Sequence, residues 1–325
     1  MTNIALNPPG FGDIVFLDGI ARSGKKLSCR LISNFLDIEY FQYIPTIEML
    51  CFLTYMEKID RSAAASLIRI ATDEAVYNRA IGRNLNGRIH DETSFIHAFD
   101  SERYTDRQNM ENAHDSYESF VASGRLALFH THSALSAAPL LFETIPTLKL
   151  IHITRHPVDL AEDWRQRGWG KRLGADPLAF EFLIETSSGP APWFAGPWAE
   201  KYSRISEEER CILSILSLGK MDAVGRGKIR TDRSTQFHEF AYEHLITSPD
   251  KVISALTKFL KRGPGPRLKA FLKDENCPSK LPAARRADNF RALAQRSSET
   301  TRRALLDAST EYEKAWGLDA IEGYL

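Results

Sequence analysis

Two hydrophobic patterns alternate along the chain. The first is a short, nearly unbroken apolar run, seen at Asp13–Asp18 (DIVFLD), Leu126–Thr131 (LALFHT), Leu148–Thr154 (LKLIHIT) and Gln236–Tyr242 (QFHEFAY). Strands buried on both faces of a parallel sheet need runs of this kind. The second pattern is helical spacing. Leu27, Leu31, Ile32, Phe35 and Leu36 predict a helix directly after the first strand. Further helices are predicted within Ile47–Tyr77, from Pro157 to Gln166, over Ser206–Ala223 and over Ser297–Trp316. Pro157 and Pro249 suit first helical positions, and Ser248 is the expected cap of a helix running to Lys261. Strands alternating with helices predict an α/β fold with a central parallel β-sheet flanked by helices.

Other stretches lack periodicity. Gly82–Phe99 is polar and glycine-punctuated, which predicts loop. Gly168–Trp198 is rich in Gly, Pro and Trp and reads as a surface excursion, a lid or acceptor loop at about 168–198. The segment Arg262–Arg286 is basic and proline-rich. With no internal repeat, residues 1–325 read as a single domain.

Composition narrows the function classes. The 325 residues hold 42 Lys+Arg against 42 Asp+Glu, so net charge is zero, which disfavours a general nucleic-acid binder but leaves room for a local basic site. At 43% hydrophobic and 26% charged, the chain is neither disordered, collagen-like nor a coiled coil. Cys29, Cys51, Cys211 and Cys277 match no zinc spacing and no disulfide framework, and read as reduced core thiols. No apolar stretch approaches the roughly 18 residues of a membrane helix. Met1–Gly12 lacks a secretory signal pattern, so the expected location is cytoplasmic.

The first strand leads into Gly19-Ile20-Ala21-Arg22-Ser23-Gly24-Lys25-Lys26. This fits the phosphate-loop pattern G-x-x-x-x-G-K up to its last position, where Lys26 replaces the Ser or Thr that would hold magnesium. A glycine turn at a helix N-terminus aims backbone N–H groups at an anion, and Arg22, Lys25 and Lys26 add positive charge there. An anion site is expected, with no metal.

Three further segments join the loop. They are His130-Thr131-His132-Ser133-Ala134 at a strand end, Arg155-His156-Pro157-Val158-Asp159 followed by Asp163, and Tyr242-Glu243-His244-Leu245 with Pro249 after it. Together, in order and spacing, the four segments resemble the sulfotransferase family over about Asp13–Leu260. That family moves a sulfuryl group from 3′-phosphoadenosine 5′-phosphosulfate (PAPS) to a hydroxyl or amine, leaving the 3′,5′-bisphosphate PAP. The resemblance implies a P-loop-like α/β fold and metal-independent, in-line transfer to a small-molecule or carbohydrate acceptor.

The resemblance also implies roles. His132 stands where the family has its general base, and an imidazole has a suitable unperturbed pKa for that work. Arg22 and Lys25 stand at the leaving phosphate, and Ser23, Gly24 and Lys26 complete the donor loop. Arg155 falls on the nucleotide's 3′ side, where an arginine fork suits phosphate. Tyr242 falls at the adenine. Arg285 and Arg286 fall in the basic segment that closes over the 3′-phosphate. Three positions depart from the family pattern. Lys25 and Lys26 replace its two loop threonines, and Asp163 replaces the serine that binds the 3′-phosphate. A carboxylate about 4 Å from a phosphate charge is repulsive by about 1–4 kcal/mol near a surface. Two alternatives stay open, namely a nucleotide-binding phosphotransferase on the same scaffold and an inactive sulfotransferase-like binding protein. His90, Asp91 and Glu92, and the aromatic residues Trp193, Phe194 and Trp198, are candidates for the acceptor side.

Overall fold

The computed structural model describes residues 4–281 and 283–320. In chain order the main elements begin β1 (Ile14–Asp18), α1 (Lys25–Ile32), β2 (Gln42–Tyr43), α2 (Pro45–Tyr55), α3 (Arg61–Ala80), α4 (Glu102–Asn109) and α5 (Ala113–Ser123). They continue with β3 (Ala127–His130), α6 (Ala138–Thr144), β4 (Lys149–Thr154), α7 (Pro157–Gln166), α8 (Trp169–Arg172), β5 (Leu183–Ile184), β6 (Ala191–Pro192) and α9 (Glu207–Gly227). The last are β7 (Phe237–Ala241), α10 (Tyr242–Thr247), α11 (Pro249–Leu260), α12 (Leu268–Asp274), α13 (Ala283–Ala294) and α14 (Glu299–Trp316). The chain forms two compact units. The first holds the described residues up to Ile153 with Ala223–Phe240 and His244–Ser279; the second holds Thr154–Asp222, Ala241–Glu243 and the described residues from Lys280 onward.

The first unit is built on a five-stranded sheet in the order β2-β3-β1-β4-β7. β2, β3, β1 and β4 run parallel to their neighbours. All five residues of β1 and all four of β3 are buried, as their apolar runs require. Register places Leu17 opposite His130, and Asp18 opposite His152. β1 lies between β3 on one side and β4 on the other, so the chain leaves its carboxyl end at a topological switch point, where open α/β sheets bind ligands. Around the sheet, α3 packs on α2, α5 and α6.

In the second unit α7 packs on α13 and α14. A smaller core of Ala191, Ala195, Trp198, Ala199 and Tyr202 anchors the excursion after Gly168. Trp198 stacks on Tyr202 at 5.5 Å and donates from Nε1 to Ser217 at 2.8 Å. Trp193 and Phe194 are buried as well, with Phe194 edge-on to Trp164. These rings pin the excursion to its own core. The segment is also less irregular than its composition suggests, because β5 and β6 pair antiparallel within it.

The four predicted strands are all present, with small boundary shifts. The helix expected over Leu27–Leu36 instead runs Lys25–Ile32. Asn34 turns its side chain back onto the Arg30 carbonyl, and the Leu36 N–H pairs with Gly263, which draws the chain out of the helix. Ser248 makes no capping bond to α11, which begins on Pro249 at its first position. Several elements escaped the pattern, among them α5, α6, α12, α13, β2 and α4. β2 is only two residues long, and in the polar α4 only Tyr104 is buried. All four cysteines are free and buried. Among the described residues no helix is long and apolar enough to cross a membrane.

Candidate active site

The glycine loop is fixed by close backbone approach. A Cβ on Gly19 would overlap the Ile153 carbonyl oxygen and come within 2.8 Å of Ser23 Oγ, so only glycine fits after β1. The Ser23 N–H donates to the Ile20 carbonyl at 3.0 Å, closing a tight turn. Arg22 within that turn is left-handed at φ 77°. Gly24, left-handed at φ 99°, opens α1, and neither a side-chain cap nor an acidic residue occupies the helix's first turn. Those N-terminal N–H groups and the helix dipole suit an anion. Ser23 is fully buried and its hydroxyl has no hydrogen-bond partner. Lys25 is buried and its ammonium donates to the Gly19 carbonyl. Lys26 is half exposed and pairs with Glu92 at 2.9 Å. That pair ties the 82–99 segment to the loop.

Asp18, at the end of β1, organises the segment that follows β3. Its Oδ1 accepts from Thr131 Oγ1 at 2.8 Å and from Ala134 N at 2.9 Å, and its Oδ2 accepts from Leu135 N at 3.0 Å. His152 Nδ1 lies 3.3 Å from Oδ2. Burial alone would raise the Asp18 pKa, but His152, the Lys25 ammonium and the Ala134 N–H outweigh it and hold the carboxyl well below the usual range. Hydrogen bonds to a charged group are worth about 1.5–3 kcal/mol each, enough for several to exceed the cost of burial. Asp18 therefore acts as a staple on residues 131–135, which carry His132.

His132 is held at two points by one carboxylate oxygen. Glu48 Oε2 accepts from the His132 backbone N–H and lies 2.9 Å from ring Nδ1. The other Glu48 oxygen accepts from the Tyr43 hydroxyl at 2.5 Å. A carboxylate at Nδ1 selects the tautomer protonated there and leaves Nε2 as an acceptor. The His132 side chain is 31% exposed. Burial and the Lys25 ammonium lower its pKa from the ordinary histidine value, against the opposing pull of Glu48. The ring is thus neutral at pH 7, the form a general base needs. Behind it lies His130, stacked on Tyr43 at 4.7 Å and 5.6 Å from the His132 ring. His130 is buried, neither ring nitrogen has a hydrogen-bond partner, and burial pushes its pKa well down. Among the described residues no group of three or more His, Cys, Asp or Glu is arranged to hold a metal ion.

The remaining sequence-predicted residues come together in the second unit. Arg155, Asp163, Tyr242, Arg285 and Arg286 line one pocket of about 100 Å³. The Arg155 guanidinium lies over the Tyr242 ring at 5.0 Å. Arg286 donates from Nε to Asp159 at 3.0 Å and reaches toward Glu243 at 3.7 Å. Asn289 donates to the other Asp159 oxygen at 2.9 Å. Glu243 also accepts from the His156 N–H at 3.0 Å and the Tyr312 hydroxyl at 2.7 Å. Asp163 pairs with Arg167, one helical turn on, at 3.3 Å.

Sequence reasoning did not single out Glu48, His152, Asn289 or the pairing roles of Asp159 and Glu243. The last two lie inside the quoted Arg155–Asp159 and Tyr242–Leu245 segments and were findable there. Glu48 lies 84 positions from His132 and carries no local signal.

Solved structures similar to this chain include a sulfotransferase domain from the curacin biosynthetic pathway, at 12% identity and TM-score 0.48, covering 95% of this chain and 99% of that one. The sulfotransferase domain of the Synechococcus PCC 7002 olefin synthase is similar at 15% identity and TM-score 0.44, covering 97% and 99%. Sulfotransferase STF9 from Mycobacterium avium is similar at 12% identity and TM-score 0.44, covering 97% and 79%. No family model and no curated protein sequence matches the chain.

Proposed function

We propose that the protein transfers a sulfuryl group from an adenosine 5′-phosphosulfate nucleotide to a hydroxyl or amine acceptor, with His132 as general base and without a metal. The observation that carries this reading is the His132–Glu48 pair, whose geometry engages Nδ1 and leaves Nε2 as the acceptor nitrogen. The donor supplies an activated S–O bond; the resemblance gives PAPS, with PAP as product. Nε2 of His132 takes the acceptor's proton as the acceptor oxygen or nitrogen bonds to sulfur. The bridging S–O bond breaks, and its electron pair leaves with the nucleotide's phosphate. Arg22, Lys25 and the N–H groups of α1 stabilise the charge gathering there, the role of preorganised donors in such a transfer. Ser23, Gly24 and Lys26 complete the phosphate cradle. Arg155, Tyr242, Arg285 and Arg286 are the nucleotide's partners.

Phosphoryl transfer remains the second reading, because three basic residues at the loop also suit a triphosphate. Against it, Lys26 offers no hydroxyl to a magnesium ion, and both oxygens of Asp18 are engaged by the 131–135 segment. Calorimetric titration separates the two readings. Sulfuryl transfer predicts that an adenosine 5′-monophosphate, with or without a 3′-phosphate, binds at micromolar concentration in EDTA. It also predicts that His132→Ala binds as tightly as the wild type. Binding of ATP with magnesium in clear preference to both would replace this reading with phosphoryl transfer.

A further inference from the structure

The pocket around Arg155 and Tyr242 is unusually acidic for a phosphate site. Asp159, Glu162, Asp163 and Glu243 line it, against Arg155, Arg285 and Arg286. Its arginine charge is also partly committed. Arg286 is held by Asp159 and approached by Glu243, and Arg285 is exposed to solvent. Glu162 and Asp163 draw their own cations, Arg165 from within α7 and Arg167 from the residue that follows it. A dianionic phosphate entering here meets four carboxylates whose cations are shared with it, so their repulsion is offset only in part. A sugar hydroxyl meets the same carboxylates as acceptors. Dinucleotide-binding sites use this distinction at the ribose 2′ position, with a carboxylate for the hydroxyl and an arginine for the phosphate. The Tyr242 ring offers a stacking surface for a base, and Gln166 and Asn289 add amide groups for polar contact.

We infer that this pocket accepts the unphosphorylated ribose of a 5′-nucleotide and rejects a ribose 3′-phosphate, with Asp163 as the discriminating residue. This rests on the proposed sulfuryl transfer and changes its donor from PAPS to adenosine 5′-phosphosulfate. The chemistry still balances. The acceptor–sulfur bond forms, the bridging S–O bond breaks, 5′-AMP leaves with the electron pair, and the proton goes to His132. No further reactant is required.

The test is calorimetric titration of the full chain with 5′-AMP and, separately, with adenosine 3′,5′-bisphosphate. The wild type is expected to bind 5′-AMP tighter by about tenfold or more, the ratio that about 1.4 kcal/mol of like-charge repulsion produces. Asp163→Ser is expected to shift the ratio of the two affinities toward the bisphosphate by about tenfold, through tighter bisphosphate binding together with weaker 5′-AMP binding. Asp163→Asn, which keeps the shape and removes the charge, is expected to move the same way. Equal or tighter binding of the bisphosphate by the wild type overturns the inference and leaves the proposed sulfuryl transfer standing with PAPS as donor. Binding of neither nucleotide by the folded protein overturns both.

Discussion

At the scale of single residues, the loop holds a strained cation and the strand end holds a histidine oriented by a carboxylate. Arg22 sits left-handed, a conformation that costs an L-residue about 1–2 kcal/mol. Glycine removes that strain and the guanidinium together. Arg22→Gly is expected to leave thermal stability within about 1 kcal/mol of the wild type while lowering turnover by about 100-fold or more. Parallel loss of stability and activity would make Arg22 a structural residue. In the proposed transfer, Glu48 acts through His132. Because Glu48 raises the His132 pKa, Glu48→Gln is expected to move the acidic limb of the kcat/KM profile to lower pH and to reduce kcat by about tenfold. A fall in kcat with an unmoved limb would leave Glu48 with a packing role only. His130 supplies a stability signature. Its folded pKa is depressed, so below the ordinary histidine value of about 6.5 the unfolded chain binds the extra proton first. The stability it contributes is complete above pH 6.5 and is lost as pH falls from there, by at most about 1.4 kcal/mol per unit. Urea unfolding between pH 5 and 7.5 should show this slope in the wild type and a shallower one in His130→Phe.

At the scale of elements, the sequence was most legible where burial was complete. β1, β3 and β4 are buried runs, and each was apparent as one. The boundaries failed where a side chain or a distant segment intervened. Asn34 and Gly263 end α1 early, and nothing in the periodicity of Leu27–Leu36 announces either. β2 needs only two residues because it borrows its place from β3 beside it. The turn joining β1 to α1 yields the element-scale prediction. Gly19→Ala drives a methyl group into the Ile153 carbonyl and toward Ser23. Backbone cannot yield as a flexible side chain does, so a loss of about 1–3 kcal/mol is expected in denaturant unfolding. Weakened nucleotide binding is expected with it. Unchanged stability would mean that β4 and the loop do not approach as described.

At the scale of the whole molecule, motif and contact contributed different parts of the candidate site. The candidate ligand-facing residues lie in short ordered segments, so the loop could be found from its spacing, and His132, Arg155 and Tyr242 from the order of their motifs and the resemblance these carry. Residues that hold those groups in place come from wherever the fold brings them. Glu48 reaches His132 from α2, and Asp159 and Glu243 reach Arg286 from α7 and α10. A net charge of zero likewise gave no hint of a loop with three basic residues or a pocket with four carboxylates. Both are local imbalances that cancel over 325 residues. The most direct measurement is consumption of sulfur-labelled adenosine phosphosulfates, with and without the 3′-phosphate. It would be run in EDTA, with phenol, alcohol and amine acceptors, comparing the wild type with His132→Ala. Transfer by the wild type, reduced about 100-fold or more in His132→Ala at unchanged nucleotide affinity, is the expected result. Full activity of His132→Ala, or no consumption of either donor by the wild type, would contradict sulfuryl transfer with His132 as its base.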